Sequence, residues 1–189
     1  RRAFANQRTR QEHEQVIPPA TWEAAQSATA EVDREGPLCF GVDVHPERTS
    51  AAIAASDGRI IELIEHRDGV GWLIERAKAL SEKWGGRFAV DSGGPAGTLA
   101  QDLREAGLAV VELGLGDLAR GCARLYDGLA DGRLTVRTSP ALDLAVQGLA
   151  KRPVGDRWVW SRHTSQTDAT PIMAATIALV QRDIKRVLA

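Results

Sequence analysis

Three short apolar runs joined by tight turns limit the folds open to this chain of 189 residues. The runs cover 38–44, 49–56 and 59–66, and Asp57-Gly58 between the second and third is a typical hairpin turn. Such runs predict three strands in an antiparallel meander.

A regular alternation of helix and strand patterns follows the meander. Strands are predicted over 87–91, 108–113, 134–137 and 157–161. Helices are predicted over 72–84, 95–106, 117–129 and 139–150, and from residue 170 to the C-terminus. The order predicts an α/β fold: a mixed sheet, antiparallel in its first three strands and flanked by helices. This order resembles that of ribonuclease H-like domains.

The chain length suits one domain with a tail. With 43% hydrophobic residues, 189 residues can bury one substantial core but hardly two. Residues 1–35 are polar and interrupted by Pro18 and Pro19, with a short helix predicted over 21–32. We expect residues 1–35 to be a linker or docking arm and residues 36–189 to form the domain.

Composition excludes several classes of protein. No apolar run reaches the roughly 18 to 20 residues that span a bilayer, so we expect a soluble intracellular protein with no membrane partner. Cys39 and Cys122 lack the spacing of a zinc site or disulfide framework, which predicts buried free thiols. A formal net charge of -1 argues against a globally basic polymer binder.

Three aspartates stand at positions that suggest chemistry. Asp43 lies within the first apolar strand, Asp91 ends the strand before a glycine turn, and Asp168 precedes the last helix. An unpaired buried charge costs several kcal/mol, so such a carboxylate needs compensation. In a mixed sheet, the first strand and the strand after the first helix are commonly neighbours. We therefore expect Asp43 and Asp91 to converge, with Asp168 closing the site from the facing helix.

Converging carboxylates repel one another unless cations neutralise them. Mg²⁺ and Mn²⁺ prefer carboxylate oxygens, and two such ions roughly 3.5 to 4 Å apart can stabilise the attacking and leaving oxygens in phosphodiester cleavage. Asp43, Asp91 and Asp168 are therefore the candidate catalytic residues and metal ligands.

Each aspartate also has a structural interpretation. Asp43 could bond to backbone donors of the following turn, and Asp91 could brace its glycine turn through an Asx-type bond. Asp168 could be a charge favoured by the helix macrodipole. The catalytic interpretation depends on their joint placement.

Three segments, 41–50, 88–94 and 165–171, carry a resemblance to the nuclease domain of phage terminase large subunits. The likeness covers nearly the whole chain: segments 4–7 and 16–22 resemble the connection to an upstream packaging ATPase, whose Walker motifs the chain lacks.

The resemblance implies a function. Asp43, Asp91 and Asp168 would hold two divalent cations, Mg²⁺ or Mn²⁺, that cut concatemeric double-stranded phage DNA during genome packaging. It also implies binding to the portal protein and the small terminase subunit in the cytoplasm of the bacterial host.

Basic side chains after the first predicted strand and near the C-terminal end are candidates for binding DNA. The candidates are Arg48, Lys151, Arg152, Arg157, Arg162 and His163. Because such contacts go mostly to phosphates, binding should be salt-sensitive and sequence-tolerant. Trp158 and Trp160 alternate in the same segment, and either DNA contact or core packing would explain them.

Two other functions fit parts of the sequence. An actin-like ATPase or sugar kinase also begins with a strand, a turn and a strand, but the turn 45–48 lacks the glycine that would cradle phosphate. The chain is also too short for the two lobes of such a kinase. A catalytically silent DNA clamp or motor-docking module is the second alternative.

Overall fold

The computed structural model describes residues 14–36 and 38–184 as nine strands, six α-helices and one short 3-10 helix. The strands are β1 (Gln26–Ser27), β2 (Cys39–Val44), β3 (Ser50–Ser56), β4 (Ile60–Asp68), β5 (Arg87–Asp91), β6 (Val110–Leu113), β7 (Thr135–Arg137), β8 (Lys151–Val154) and β9 (Arg157–Trp160). The α-helices are α1 (Pro19–Ala25), α2 (Leu73–Trp84), α3 (Ala100–Glu105), α4 (Leu115–Ala130), α5 (Pro140–Gln147) and α6 (Thr170–Gln181).

Seven strands form one mixed sheet in the order β1-β7-β4-β3-β2-β5-β6. Strands β2, β3 and β4 pair antiparallel, which confirms the predicted meander. The remaining neighbours pair parallel. Strands β8 and β9 form a separate antiparallel hairpin. The predicted α/β class, with helices flanking a mixed sheet, is confirmed.

The alternation of side chains along the strands separates two cores. Phe40, Val42, Phe88 and Val90 pack on one face of the sheet with residues of α2 and α3. Small side chains such as Ala52, Ala54 and Ala89 cover the other face, beneath α1, α4, α5 and α6. Odd-numbered positions of β2 and β5 therefore face α6, and this face includes positions 43 and 91.

Helix α6 lies at the centre of the second core, and all twelve of its residues are buried. Its sequence, apolar on every side, is typical of a helix enclosed by other elements. Gly41 of β2 lets the helix approach closely, because a Cβ there would lie 2.5 Å from the Ala178 nitrogen. The helix was predicted to reach the C-terminus, but it ends at Gln181. Residues 185–189 lie outside the described part.

The N-terminal segment differs from its prediction in one respect. The helix predicted over 21–32 ends at Ala25, because Gln26 and Ser27 pair with β7 as an edge strand. Trp22 is buried, and its indole donates a hydrogen bond to Asp143 at 2.9 Å. This part of the predicted arm packs on the domain.

Both cysteines are buried and free, as predicted, and burial raises the pKa of each thiol, that of Cys122 to about 12.

Within residues 14–36 and 38–184, no helix is long and apolar enough to cross a membrane.

We predict that Gly41→Ala lowers the free energy of unfolding by about 3 kcal/mol, because overpacking against a helix backbone cannot be relieved by a rotamer change. Urea denaturation would measure this loss. Gly71→Ala is the matched control, since a Cβ at Gly71 meets nothing within 4 Å. Equal stabilities of the two variants would contradict the close packing of α6 on β2.

Candidate active site

Asp43 and Asp91 lie side by side at the ends of β2 and β5. These strands are parallel neighbours in which Val42 pairs with Val90, and the aspartates are the next residue on each strand. Parallel register places both carboxylates on the face that α6 covers. Asp43 is fully buried, and Asp91 is 5% exposed. The structure therefore brings together two of the three predicted carboxylates.

The guanidinium of Arg162 bridges the two carboxylates. Its Nη2 donates to Asp43 Oδ1 at 2.7 Å and to Asp91 Oδ2 at 3.1 Å, and its Nε donates to Asp43 Oδ2 at 3.1 Å. Gly94 makes room for this bridge, because a Cβ there would lie 2.6 Å from Asp91 Oδ2 and 3.0 Å from Arg162 Nη2. The site is thus built around a cation held between two carboxylates.

The electrostatics of the cluster follow from its burial. Burial raises the pKa of Asp43 to about 6, against the opposing effect of the Arg162 charge, and Asp91 adds to the increase. Burial alone would lower the pKa of Arg162, but Asp43 and Asp91 outweigh it and raise that pKa. The guanidinium therefore keeps its charge beside the carboxylate pair at neutral pH.

The β8–β9 hairpin and α6 hold Arg162 in position. The indole of Trp160, the last residue of β9, donates a buried hydrogen bond to Thr176 of α6 at 2.9 Å. The next residue, Ser161, donates its backbone N–H to Ala150 at 2.8 Å, and its hydroxyl accepts the N–H of Thr164. Arg162 follows directly, so its position is fixed by the end of the hairpin.

Asp168 belongs to a separate network at the start of α6. Its Oδ2 accepts hydrogen bonds from the Ser50 hydroxyl and lies 3.0 Å from His66 Nε2, and its Oδ1 accepts the Thr170 N–H at 2.9 Å. Burial alone would raise the pKa of Asp168, but these hydrogen bonds outweigh it and hold the pKa well below its ordinary value.

Asp168 shares a cleft with Arg162 but not a carboxylate cluster with Asp43 and Asp91. The cleft, of about 300 Å³, lies between the β2–β3 turn and the loop before α6. Its lining includes His45, Glu47, Arg162, His163 and Asp168. Over residues 14–36 and 38–184, no three His, Cys, Asp or Glu side chains are grouped closely enough to hold a metal ion. The expected convergence of three acids is therefore seen for two, because Arg162 neutralises that pair while His66 and Ser50 engage Asp168.

The predicted DNA-binding side chains occupy different environments. Arg48 is exposed in the β2–β3 turn, and its Nη1 lies 3.4 Å from the Pro95 carbonyl. The Lys151 ammonium lies over the rings of Trp158 at 3.8 Å and Tyr126 at 4.5 Å. Arg152, Arg157 and His163 are exposed, whereas Arg162 faces the carboxylates. Trp160 is a core residue, and Trp158 is half-buried.

The sequence did not predict the partners that contact the three acids. His66 and Ser50 lie 102 and 118 residues from Asp168, and no local motif marks either one. Arg162 was predicted as a phosphate contact and not as a carboxylate partner. The glycine turn after Asp91 is the one local feature tied to this pairing, because Gly94 leaves room for the guanidinium.

The sheet order and the flanking helices give the chain a ribonuclease H-like α/β fold. Comparison with solved structures shows which proteins within this class have a similar fold. The large terminase nuclease from thermophilic phage G20c superposes with a TM-score of 0.64 at 18% identity, covering 82% of this chain and 87% of that one. The Sf6 large terminase nuclease domain, in its K428A mutant with manganese, gives 0.61 at 13% identity, covering 84% and 96%.

The HK97 bacteriophage large terminase gives a TM-score of 0.61 at 13% identity, covering 86% of this chain and 42% of that one. No protein-family model matches the sequence, and no curated protein matches it. The comparisons show that the chain has the fold of phage large-terminase nuclease domains, as the resemblance in the sequence predicted.

We predict that Arg162→Gln lowers the free energy of unfolding by about 3 kcal/mol at pH 8 in EDTA, because it leaves two buried carboxylates without their cation. The loss should shrink toward pH 5. Without the guanidinium, the pKa of Asp43 rises further above its unfolded value, so the folded variant takes up a proton and gains stability as pH falls. Urea denaturation at both pH values measures this.

Arg59→Gln is the matched control, since Arg59 is exposed at the opposite end of the sheet. A loss in Arg162→Gln that does not depend on pH would contradict the assigned electrostatics.

Proposed function

We propose that this domain is a divalent-metal-dependent endonuclease that cleaves double-stranded DNA. The observation that carries the proposal is the pair formed by Asp43 and Asp91, two buried carboxylates on neighbouring parallel strands that already hold a cation between them. The terminase-nuclease fold supports the same conclusion.

The donor set suits a hard divalent cation. Carboxylate oxygens are ligands that Mg²⁺ and Mn²⁺ prefer, and the G20c nuclease has been solved with bound magnesium. Asp43 and Asp91 would hold the ions, and Asp168, which is not grouped with them in this structure, would become the third ligand by moving toward them from the start of α6. When bound, two such ions stabilise the attacking and leaving oxygens of phosphodiester hydrolysis. His66 and Ser50 would orient the Asp168 carboxylate.

Basic side chains around the cleft would bind the DNA backbone. Arg48 lies on the turn at one side of the cleft, and His163 lines it from the other. Arg152 and Arg157 are exposed on the hairpin that leads to Arg162. Such contacts go to phosphates, so affinity should fall as salt rises without strong dependence on sequence. The Lys151 ammonium lies over the rings of Tyr126 and Trp158, and it would contact the DNA backbone from this aromatic surface.

The wider role follows from the terminase resemblance. We propose that the enzyme cuts concatemeric phage DNA during packaging in the host cytoplasm, with the portal protein and the small terminase subunit as partners. Residues 1–35 would connect residues 36–189, the nuclease domain, to an upstream ATPase motor. The described part of that arm is held on the domain by Trp22, so the connection would begin on its surface.

A catalytically silent DNA clamp or motor-docking module is the second candidate. It is favoured by Arg162, which satisfies both buried carboxylates, and by the separate network of Asp168. Such a module would bind duplex DNA but would cut it under no metal condition.

We predict that the protein nicks or linearises supercoiled plasmid with Mn²⁺ or Mg²⁺ and that EDTA stops the reaction. Asp43→Asn and Asp91→Asn should each lower the rate by at least about 100-fold, because each removes a charged ligand from the ions. Gel electrophoresis of the plasmid measures both effects. Asp102→Asn, at an exposed position on α3, is the control. DNA binding without cutting by the unmodified protein would favour the silent module.

We predict that Gly94→Ala slows plasmid cleavage by about 10- to 100-fold, because its methyl group would displace the Asp91 carboxylate by a fraction of an ångström or more. Gly93→Ala is the matched control on the same turn, since its nearest neighbour within 4 Å is Asp91 Oδ1 at 3.8 Å. Cleavage rates would be compared at equal thermal stability. Equal rates of the two variants would contradict a role for Asp91 at the reacting centre.

A further inference from the structure

Arg162 both contacts the carboxylate pair and lines the cleft. Its Nε and Nη2 donate to Asp43 and Asp91, whereas Nη1 has no hydrogen bond to any described residue. Arg162 also lines the cleft together with His163 and Asp168. The side chain is 11% exposed, so it is largely enclosed but not cut off from solvent.

The same carboxylate oxygens would be needed by a divalent cation. Arg162 occupies both oxygens of Asp43 and Oδ2 of Asp91, while Oδ1 of Asp91 accepts the Gly93 N–H at 3.2 Å. A metal ion on these oxygens would lie beside the guanidinium, and repulsion between the two positive charges makes them compete for the carboxylate pair. Release of a buried arginine requires another anionic partner, or its charge stays uncompensated.

A DNA phosphate is the anion that suits this exchange. The forked donors of arginine match phosphate oxygens as well as carboxylate oxygens. Arg162 lies two residues after the hairpin that carries the exposed Arg152 and Arg157, which are proposed above as contacts to the DNA backbone. Phosphate entering the cleft would therefore reach the open side of the same guanidinium.

We propose that Arg162 is a built-in counter-cation that competes with divalent metal for Asp43 and Asp91 and is released to the phosphate backbone when DNA binds. Metal binding and DNA binding would then strengthen each other, since a coupling between two ligands is reciprocal. The inference rests on the proposed function for the identity of the two ligands.

The first test measures Mn²⁺ binding without DNA, from the electron paramagnetic resonance signal of free Mn²⁺. Arg162→Gln should bind Mn²⁺ at least about tenfold more tightly than the unmodified protein, within the usual range of coupling effects. Arg162→Lys should also bind Mn²⁺ more tightly, by a smaller factor, because lysine keeps the positive charge but lacks the paired N–H donors of the guanidinium. Arg59→Gln should leave the Mn²⁺ affinity unchanged. Equal or weaker Mn²⁺ binding in the two Arg162 variants would overturn the competition.

The second test adds a short duplex whose linkages are all phosphorothioate, which resist cutting, with the duplex alone as the blank. Mn²⁺ affinity of the unmodified protein should rise roughly tenfold on adding the duplex, and that of Arg162→Gln should rise much less. Equal increases in both proteins would show that DNA does not act through Arg162.

Folding is checked by thermal unfolding in EDTA, and Arg162→Lys carries the test where Arg162→Gln does not fold. The two proposals fail separately. A protein that cuts plasmid with Mn²⁺ while Arg162 variants bind the ion no more tightly keeps the nuclease function and loses the counter-cation. If the protein never cuts DNA but these variants bind Mn²⁺ more tightly, the counter-cation proposal stands and the nuclease function fails.

Discussion

Two carboxylates buried side by side repel each other and need a positive charge between them. In this domain the charge is the guanidinium of Arg162, which lies 119 residues from Asp43 along the chain and 71 from Asp91. The bridge exists only when β2 and β5 are paired in register and the β8–β9 hairpin is in place. The cluster therefore forms only when these three distant segments are correctly assembled, so the site is complete only in the folded domain.

Helix α6 connects the two halves of the site. It packs closely on β2 at Gly41, which sets the depth of the strand that carries Asp43. Through Thr176 it holds Trp160, and the chain reaches Arg162 two residues later. Asp168 stands just before the same helix and accepts the Thr170 N–H. One enclosed helix thus positions the carboxylate pair, its cation and the third acid relative to one another.

The sequence predicted those features that depend on neighbouring residues. The apolar run ending at Asp91 before a glycine turn indicated β5, and the order of the elements predicted that Asp43 and Asp91 would converge on neighbouring strands. The prediction from sequence failed where pairing between distant segments decides the structure. Gln26 and Ser27 fell within a predicted helix but pair with β7 as a strand. Strand β8 has no strand pattern in its sequence, because it is exposed and contains Pro153. The ion pairs of Arg162 and Asp168 were beyond prediction for the same reason, because partners more than 70 residues apart leave no local signature.

A counter-cation within the protein changes how such a site responds to metal. The folded domain needs positive charge beside Asp43 before any ion arrives, and a covalently attached guanidinium supplies it at high effective concentration. The observed metal affinity is then the intrinsic affinity multiplied by the fraction of molecules in which Arg162 is released. An anion that stabilises the released arginine raises this fraction and so raises metal affinity without touching the metal. The interaction that makes the buried carboxylates compatible with folding would thus also make metal binding depend on the substrate.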